Sequence, residues 1–195
     1  MKLESLFNAL ADVFDSSQSI EIFARQALLA HAKDAVLVEH GKPLQASVAA
    51  VMTEASAHSV CELILNTPFC WAPPQTSSDP LYVKHSLSKV HVELIGPGGL
   101  SKSEHVRLGL YGMLPGAEYG IRTHPAEETY VMLAGGAYWK RGSDPYALHG
   151  AGERSYHPSM MEHATRTGDE AFMSVYVWCG DISTENYVYT GVPKD

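Results

Sequence analysis

The spacing of apolar residues changes once along this chain, and this change limits the possible folds more than any other feature of the sequence. Over the first ~65 residues, apolar side chains recur at the spacing of amphipathic helices that bury one face. Four such stripes lie at 3–14, 20–28, 44–55 and 60–65. They predict an N-terminal helical region that packs against a core.

After the segment 66–80, which is rich in Pro, Ser and Thr, apolar residues tend to alternate with polar ones. Short runs such as KVHVELIG, VRLGLYGM and FMSVYVWC are separated by Gly and Pro, which is typical of β-strands joined by turns. The run ETYVMLAGGAYWKRG predicts a hairpin that turns at Gly135 and Gly136. The pattern predicts a β-sandwich or barrel over 81–195, preceded by a helical region and its connector over 1–80.

Charge and composition exclude several classes of partner. The chain has 14 Lys and Arg against 22 Asp and Glu, a formal charge of −8 without a basic cluster, which argues against nucleic acid. No apolar run approaches the ~20 residues that cross a bilayer, and Glu4 and Asp12 interrupt the stretch that a signal peptide would need. We therefore expect a cytoplasmic protein whose three cysteines, Cys61, Cys70 and Cys179, are reduced thiols.

Two segments hold residues that could bind a metal together. Glu128 and Tyr130 are two positions apart, so on a strand they share one face, and His124 precedes them beside the bend at Pro125. His163 comes from a later segment. Two imidazoles and a carboxylate suit Zn, Fe, Mn or Ni, and a phenol could add a fourth ligand. These residues therefore allow a site for one divalent transition metal.

The remaining histidines give no such pattern, and an isolated histidine is more often a surface or satisfied core residue than a ligand. His157 stays open, because it adjoins Pro158 and could point inward or outward. We expect ordinary surface or core positions for the others, namely His31, His40, His58, His85, His91, His105 and His149.

The two segments, from Gly116 to Gly135 and from Gly152 to His163, resemble the pair of motifs that defines the cupin superfamily. That resemblance implies a mainly β protein, a cupin double-stranded β-helix (jelly-roll) barrel, with one divalent metal inside. The first motif departs from the family pattern at one position, where Arg122 replaces the usual first His of His-x-His.

A longer resemblance narrows the family. The segments LPGAEYGIRTHPAEETYVMLAGGAYW, GAGERSYHPSMMEHATRT and VYVWCGD are similar to the bacterial cupin lyases of dimethylsulfoniopropionate (DMSP), above all the DddQ type. In that group a helical region of similar length precedes the barrel. The resemblance is strong from residue 114 to about 182 and is architectural before that.

This resemblance implies a reaction and roles for individual residues. The reaction is β-elimination, which splits DMSP into acrylate and dimethyl sulfide. The matching metal ligands are His124, Glu128 and His163. Tyr130 matches the tyrosine that is associated with the metal and acts as the catalytic base. Tyr119 is a second catalytic candidate and, with Trp178, matches aromatic residues that line the substrate pocket.

The chemistry of the substrate agrees with these roles. A metal could stabilise the negative charge that develops when the proton α to the carboxylate is removed. Tyr130 close to a metal would have its pKa lowered from about 10 and could act as a phenolate base. The sulfonium suits an aromatic enclosure, where each ring face contributes about 0.5–2 kcal/mol. Tyr119 and Trp178 are the first candidates for it, and the further candidates are Tyr111, Tyr138, Tyr156 and Tyr176.

Arg122 leaves three interpretations open, because a guanidinium cannot be a metal ligand. It could bind the carboxylate of the substrate in a bidentate manner. It could instead face outward, with Tyr130 completing the metal shell. In the third interpretation, the chain is a lyase-like relative with a different substrate.

Two rival functions remain. One is a cupin metalloenzyme of another reaction type, a dioxygenase or isomerase of a small carboxylate. The other is a non-catalytic sensor or binding protein, which an exposed apolar patch on the first helix would favour. The four residues of that patch are Leu3, Phe7, Leu10 and Phe14. In each case we expect a small zwitterionic or carboxylate ligand, and a homodimer, as for many cupin enzymes.

Overall fold

The N-terminal apolar stripes form helices, as their spacing predicts, although the third stripe, 44–55, is helical only over Ala46–Val51. The computed structural model describes residues 2–37 and 41–193, so His40 lies outside the described residues. The helices are α1 Glu4–Val13, α2 Ser19–His31, α3 Ala46–Val51, α4 Val60–Leu65 and α5 Pro80–Ser86. No apolar stripe predicted α5, which begins with Pro80 and is capped by the carboxylate of Asp79, an acceptor for the N–H groups of Leu81 and Tyr82.

Eleven strands follow in the described part of the chain and form two sheets. The strands are β1 Lys89–Gly96, β2 Ser101–Lys102, β3 Arg107–Met113, β4 Glu118–Thr123, β5 Glu127–Gly135, β6 Ala137–Arg141, β7 Ala147–His149, β8 Arg154–His157, β9 His163–Arg166, β10 Phe172–Cys179 and β11 Val188–Gly191. The six-stranded sheet has the order β2-β1-β3-β10-β5-β8, and the five-stranded sheet has the order β11-β4-β9-β6-β7. This is the cupin double-stranded β-helix that the resemblance implied, with the helical region before it.

The hairpin predicted at Gly135 and Gly136 is wrong. Strands β5 and β6 do flank these residues, but β5 pairs with β10 and β8, whereas β6 pairs with β9 and β7. Both edges of β5 are therefore occupied, and the chain crosses from one sheet to the other at this point. Gly135 has a φ of +64°, a conformation that glycine adopts without the steric cost of a side chain.

Buried apolar side chains form two clusters. One lies between the helices and the six-stranded sheet, and the other lies between the two sheets. On β10, Val175 and Val177 point to the helices, whereas Tyr176 and Trp178 point between the sheets, as expected for alternating side chains. The helices thus cover the outer face of the six-stranded sheet. Leu3, Phe7, Leu10 and Phe14 are at most 2% exposed, so the first helix has no apolar patch of the kind that would favour a sensor.

An ionic contact also joins the helical region to the barrel. Arg154 on β8 donates from Nε to Oε1 of Glu21 on α2 at 3.2 Å and forms an ion pair with Asp15. The Glu21 side chain is fully buried. A buried carboxylate needs such a partner, since a charge without one is costly inside a protein.

The other general predictions concern thiols and location. Cys61, Cys70 and Cys179 are free. Among the described helices, none combines the length and apolar character that a bilayer crossing requires. The domain boundary at residue 80, the homodimer and the cytoplasmic location stay predictions.

Candidate active site

The three predicted metal ligands meet in the interior of the barrel. One ligand atom from each of His124, Glu128 and His163 lies within 4.8 Å of the other two, and all three side chains are buried. Glu128 belongs to β5 of the six-stranded sheet and His163 begins β9 of the five-stranded sheet. The cluster therefore lies between the two sheets and depends on their packing.

The hydrogen bonds of the two histidines leave one nitrogen of each ring free for a cation. Nδ1 of His124 lies 3.0 Å from the carbonyl oxygen of Ala126, and Nδ1 of His163 lies 2.8 Å from that of Met161. Carbonyls only accept, so each Nδ1 carries the proton and each Nε2 presents a lone pair. Both Nε2 atoms are buried and lack a hydrogen-bond partner within the described chain. Such orphan acceptors beside a carboxylate fit a metal.

The protonation states of the cluster also fit a metal. Burial, with the charge of Arg122, holds the pKa of His163 well below its usual value, so the ring is neutral. Burial alone would raise the pKa of Glu128, but the hydrogen bond from His157 and the close approach of the His124 and His163 rings outweigh burial and hold that pKa well below its usual value. Neutral imidazole and ionised carboxylate are the forms that bind metals.

His157, which the sequence left open, points inward and fixes Glu128. Its Nδ1 lies 2.9 Å from Oε2 of Glu128, and its Nε2 lies 2.9 Å from Oγ of Ser155. Burial lowers the pKa of His157 to about 4, so the neutral ring donates through Nδ1 and accepts through Nε2. Trp178 donates from Nε1 to the other carboxylate oxygen, Oε1. These contacts orient the carboxylate before any cation is bound.

A cavity of about 510 Å³ lies beside the cluster, and we call it the aromatic cavity. Tyr130 and Trp178 line it, and both also interact with Glu128, so the cavity adjoins the histidine–glutamate cluster. The structure thus brings Tyr119, Arg122, Tyr130 and Trp178 to one space, whereas the candidates Tyr138 and Tyr156 do not line it. Its aromatic and charged walls include Tyr111, Tyr119, Arg122, Tyr130, Tyr176, Trp178, His91, Glu93 and Arg107.

Arg122 lines this cavity and is buried, so the interpretation in which it faces outward is wrong. Its Nη2 donates to Oγ1 of Thr165 at 3.2 Å, and its Cζ lies 3.8 Å from the centre of the Tyr119 ring. No carboxylate forms an ion pair with Arg122 among residues 2–37 and 41–193. A buried guanidinium without an acidic partner can receive an anionic ligand.

The two candidate catalytic tyrosines have different surroundings. Burial and the charge of Glu128 raise the pKa of Tyr130 well above its usual value, so the protein's own groups keep this phenol protonated. Tyr119 lies 2.5 Å, oxygen to oxygen, from Tyr187, which the sequence did not single out. Nζ of the buried Lys89 lies 3.2 Å from the centre of the Tyr119 ring. Burial, with the charge of Arg122, lowers the pKa of Lys89 to about 6, so of the two basic side chains that contact Tyr119 only Arg122 carries a full charge at pH 7.

Comparisons with known proteins agree with this geometry. A family model for dimethylsulfoniopropionate lyase matches residues 16–174. The chain is 41% identical over 91 residues to the dimethylsulfoniopropionate lyase DddQ of Ruegeria pomeroyi, and this match covers 47% of the chain and 45% of that protein, less than half of its length.

Two solved structures resemble the whole chain. The crystal structure of DMSP lyase DddQ from Ruegeria pomeroyi DSS-3 superposes with a TM-score of 0.64 at 27% identity, covering 95% of this chain and 96% of that one. A structure reported with the DMSP lyases RdDddP and RnDddQII gives a TM-score of 0.65 at 19% identity, with 97% of each chain covered, which is a likeness of fold.

Proposed function

The chain belongs to the dimethylsulfoniopropionate lyase family, and from this premise we propose that it cleaves DMSP by β-elimination into acrylate and dimethyl sulfide. The observation that carries the proposal is the buried His–Glu–His cluster next to a cavity that holds an unpaired guanidinium. A carboxylate substrate needs both features: a cation site that withdraws charge, and an anchor that sets its orientation.

We propose that His124, Glu128 and His163 hold one divalent transition metal, Zn, Fe, Mn or Ni, with Tyr130 as a fourth ligand. The free Nε2 atoms of the two histidines and the low pKa of Glu128 support this assignment. The metal would supply a Lewis acid for the substrate carboxylate. His157 and Trp178 would maintain the orientation of Glu128 during the reaction.

Tyr130 is proposed as the base. Its oxygen would take the proton from the carbon α to the carboxylate, the C–H electrons would form the C=C bond, and the C–S electrons would leave with dimethyl sulfide. The raised pKa of Tyr130 means that its ionisation depends on an added positive charge in the site. Tyr119, fixed by its contact with Tyr187, is proposed as the second catalytic residue, and it lines the same cavity as Tyr130.

Arg122 is proposed to bind the substrate carboxylate, with Tyr119 and Trp178 packing against the same end of the molecule. The positive charge of Arg122 would repel a sulfonium, so it also fixes which end of the zwitterion enters first. This orientation brings the α-carbon towards Tyr130, which lines the same cavity.

An assay of gas release tests the function. Purified protein incubated with DMSP is expected to release dimethyl sulfide, and elemental analysis is expected to find about one divalent metal per chain. A chelator should stop the release, and added metal should restore it. Metal-loaded protein that releases no dimethyl sulfide would contradict the proposal, and oxygen consumption or an isomerised product would then favour the rival cupin reactions.

Replacing Arg122 by His tests the anchor. We expect kcat/KM for DMSP to fall about 10- to 100-fold, mostly through a higher KM, because a hydrogen bond to a charged group contributes about 1.5–3 kcal/mol. Arg166→His is the matched control, since Arg166 is an exposed arginine on β9. Higher activity of the Arg122 variant would instead mean that Arg122 departs from the lyase pattern without binding the substrate carboxylate.

A further inference from the structure

The two aromatic residues that the resemblance assigns to the substrate pocket, Tyr119 and Trp178, already have partners on their rings. Tyr119 already contacts Lys89 and Arg122, with Nζ and Cζ at 3.2 Å and 3.8 Å from its ring centre. Trp178 stacks on His124, with ring centres 4.1 Å apart. A ring next to a guanidinium is a poor partner for a second cation, because the two like charges repel.

Tyr176 also faces the cavity, and among the described residues no Lys or Arg lies over its ring. Tyr176 on β10 lines the cavity, and its hydroxyl lies 2.8 Å from Nε2 of His91 on β1. Strand β3 lies between β1 and β10, and its residue opposite Tyr176 is Gly109. A Cβ on Gly109 would lie only 2.9 Å from the Tyr176 ring, so the absence of a side chain gives this ring its place.

The charges around Tyr176 also suit a cation. The carboxylate of Glu93 lines the cavity and is near enough to Tyr176 to raise the pKa of its phenol, although burial is the larger cause. The positive charge of Arg107 is paired with Glu93, Nη1 to Oε1, at 2.8 Å. The Arg122 end of the cavity is thus cationic, whereas its Tyr176 end has no unpaired positive charge among these groups.

His91 contributes as long as it is uncharged. Burial, with the nearby Arg107, lowers the pKa of His91 to about 4, so the ring is neutral at pH 7. The groups that face it are Arg107 and Tyr111 from β3, Tyr176 from β10 and Glu93 from its own strand. When Nε2 accepts the Tyr176 proton, the phenol oxygen can turn its lone pairs towards the cavity.

We propose that Tyr176, positioned by His91 and assisted by Glu93, forms a subsite for the onium cation of a small zwitterion. This inference rests on the proposed function and deepens it, since it assigns the sulfonium end of the substrate to Tyr176 and His91 and not to Tyr119 and Trp178. A zwitterion would then lie across the cavity with its carboxylate at Arg122 and its cation at Tyr176.

A matched pair of ligands tests the subsite without any turnover. The probes are 3-(trimethylammonio)propanoate and its isostere 4,4-dimethylpentanoate, in which an uncharged tert-butyl group replaces the cation. Calorimetry with metal-loaded protein gives the affinity for each. We expect the wild type to prefer the cationic ligand by about tenfold. Tyr176→Leu and His91→Leu should bring this preference close to one, and Glu93→Gln should reduce it.

The control is His85→Leu, because His85 forms a similar pair with the Tyr189 hydroxyl at 2.6 Å but does not line the cavity. This variant should keep the wild-type preference. If Tyr176→Leu fails to fold, Tyr176→Phe keeps the ring and removes the bond to His91, and its preference should be intermediate.

The outcomes separate the two proposals. Equal affinity of the wild type for both ligands, or an unchanged preference in the Tyr176 variants, would overturn the subsite even if dimethyl sulfide is released. A clear preference for the cationic ligand in protein that releases no dimethyl sulfide would support the subsite and reject the lyase.

Discussion

Replacing His163 by alanine is expected to remove both the bound metal and the release of dimethyl sulfide. The substitution deletes one of the two free Nε2 atoms and leaves a gap beside His157, whose ring lies 4.1 Å from that of His163. If the metal stabilises the developing charge by several kcal/mol, the turnover should fall at least about 10³-fold. Elemental analysis and headspace detection measure the two effects on the same sample.

The exposed His105 provides the control for this variant, and His105→Ala should keep metal and activity. Thermal unfolding of both variants shows whether the barrel is intact. A folded His163 variant with normal metal content would mean that the ion is bound elsewhere.

Replacing Tyr130 by phenylalanine is expected to stop elimination while most of the metal is retained. Phenylalanine keeps the ring, which packs against Trp139 and Tyr111 at centre distances of 4.6 Å and 5.7 Å, and removes only the hydroxyl. Loss of a general base costs about 10²–10⁴-fold in rate, so we expect kcat to fall within that range. The three remaining ligands of the cluster should still bind the metal.

Tyr138→Phe is the control, because Tyr138 on β6 lies outside the cavity and is partly exposed. Turnover of the Tyr130 variant at the wild-type rate would remove Tyr130 as the base. The two experiments together separate the roles: the His163 variant should lose metal and activity, and the Tyr130 variant should lose activity alone.

Part of the His–Glu–His cluster could be predicted from the sequence, because the positions of its first residues are set locally. Glu128 and Tyr130 share a face by strand alternation, and His124 lies only four residues before Glu128. The meeting with His163 required the family motif, since the packing of the two sheets cannot be read from spacing. The burial of the helical stripes followed from their period alone.

The residues that sequence reasoning missed depend on pairing between distant strands. His157 lies opposite Glu128 because β8 pairs with β5 in that register, and no local signal fixes the register of two strands that β6 and β7 separate along the chain. The wrong hairpin at Gly135 has a related cause, since glycines indicate a turn but not which strand edges are already occupied. Alternation with Ser155 could have suggested that His157 faces inward, but only once β8 was known to be a strand.

Lys89 and His91 illustrate a second limit. A lysine at the start of a strand is usually exposed, but α5 covers this one, with its Nζ 3.3 Å from Oγ of Ser86 and 5.0 Å from the ring centre of Tyr82. His91 resembled an ordinary histidine because its partner, Tyr176, is 85 positions away. In both cases the surroundings of the side chain come from elements whose position in the fold cannot be predicted from the sequence pattern.

The cover that the helices give to the six-stranded sheet restricts how this protein can be engineered. A shortened chain that began at β1 would expose the apolar side chains of β5 and β10 that face the helices, such as Leu133 and Val175, and would leave Arg154 without Glu21. Apolar surface of this extent promotes self-association. Variant libraries aimed at new substrates should therefore retain the helices and diversify the opposite face of that sheet.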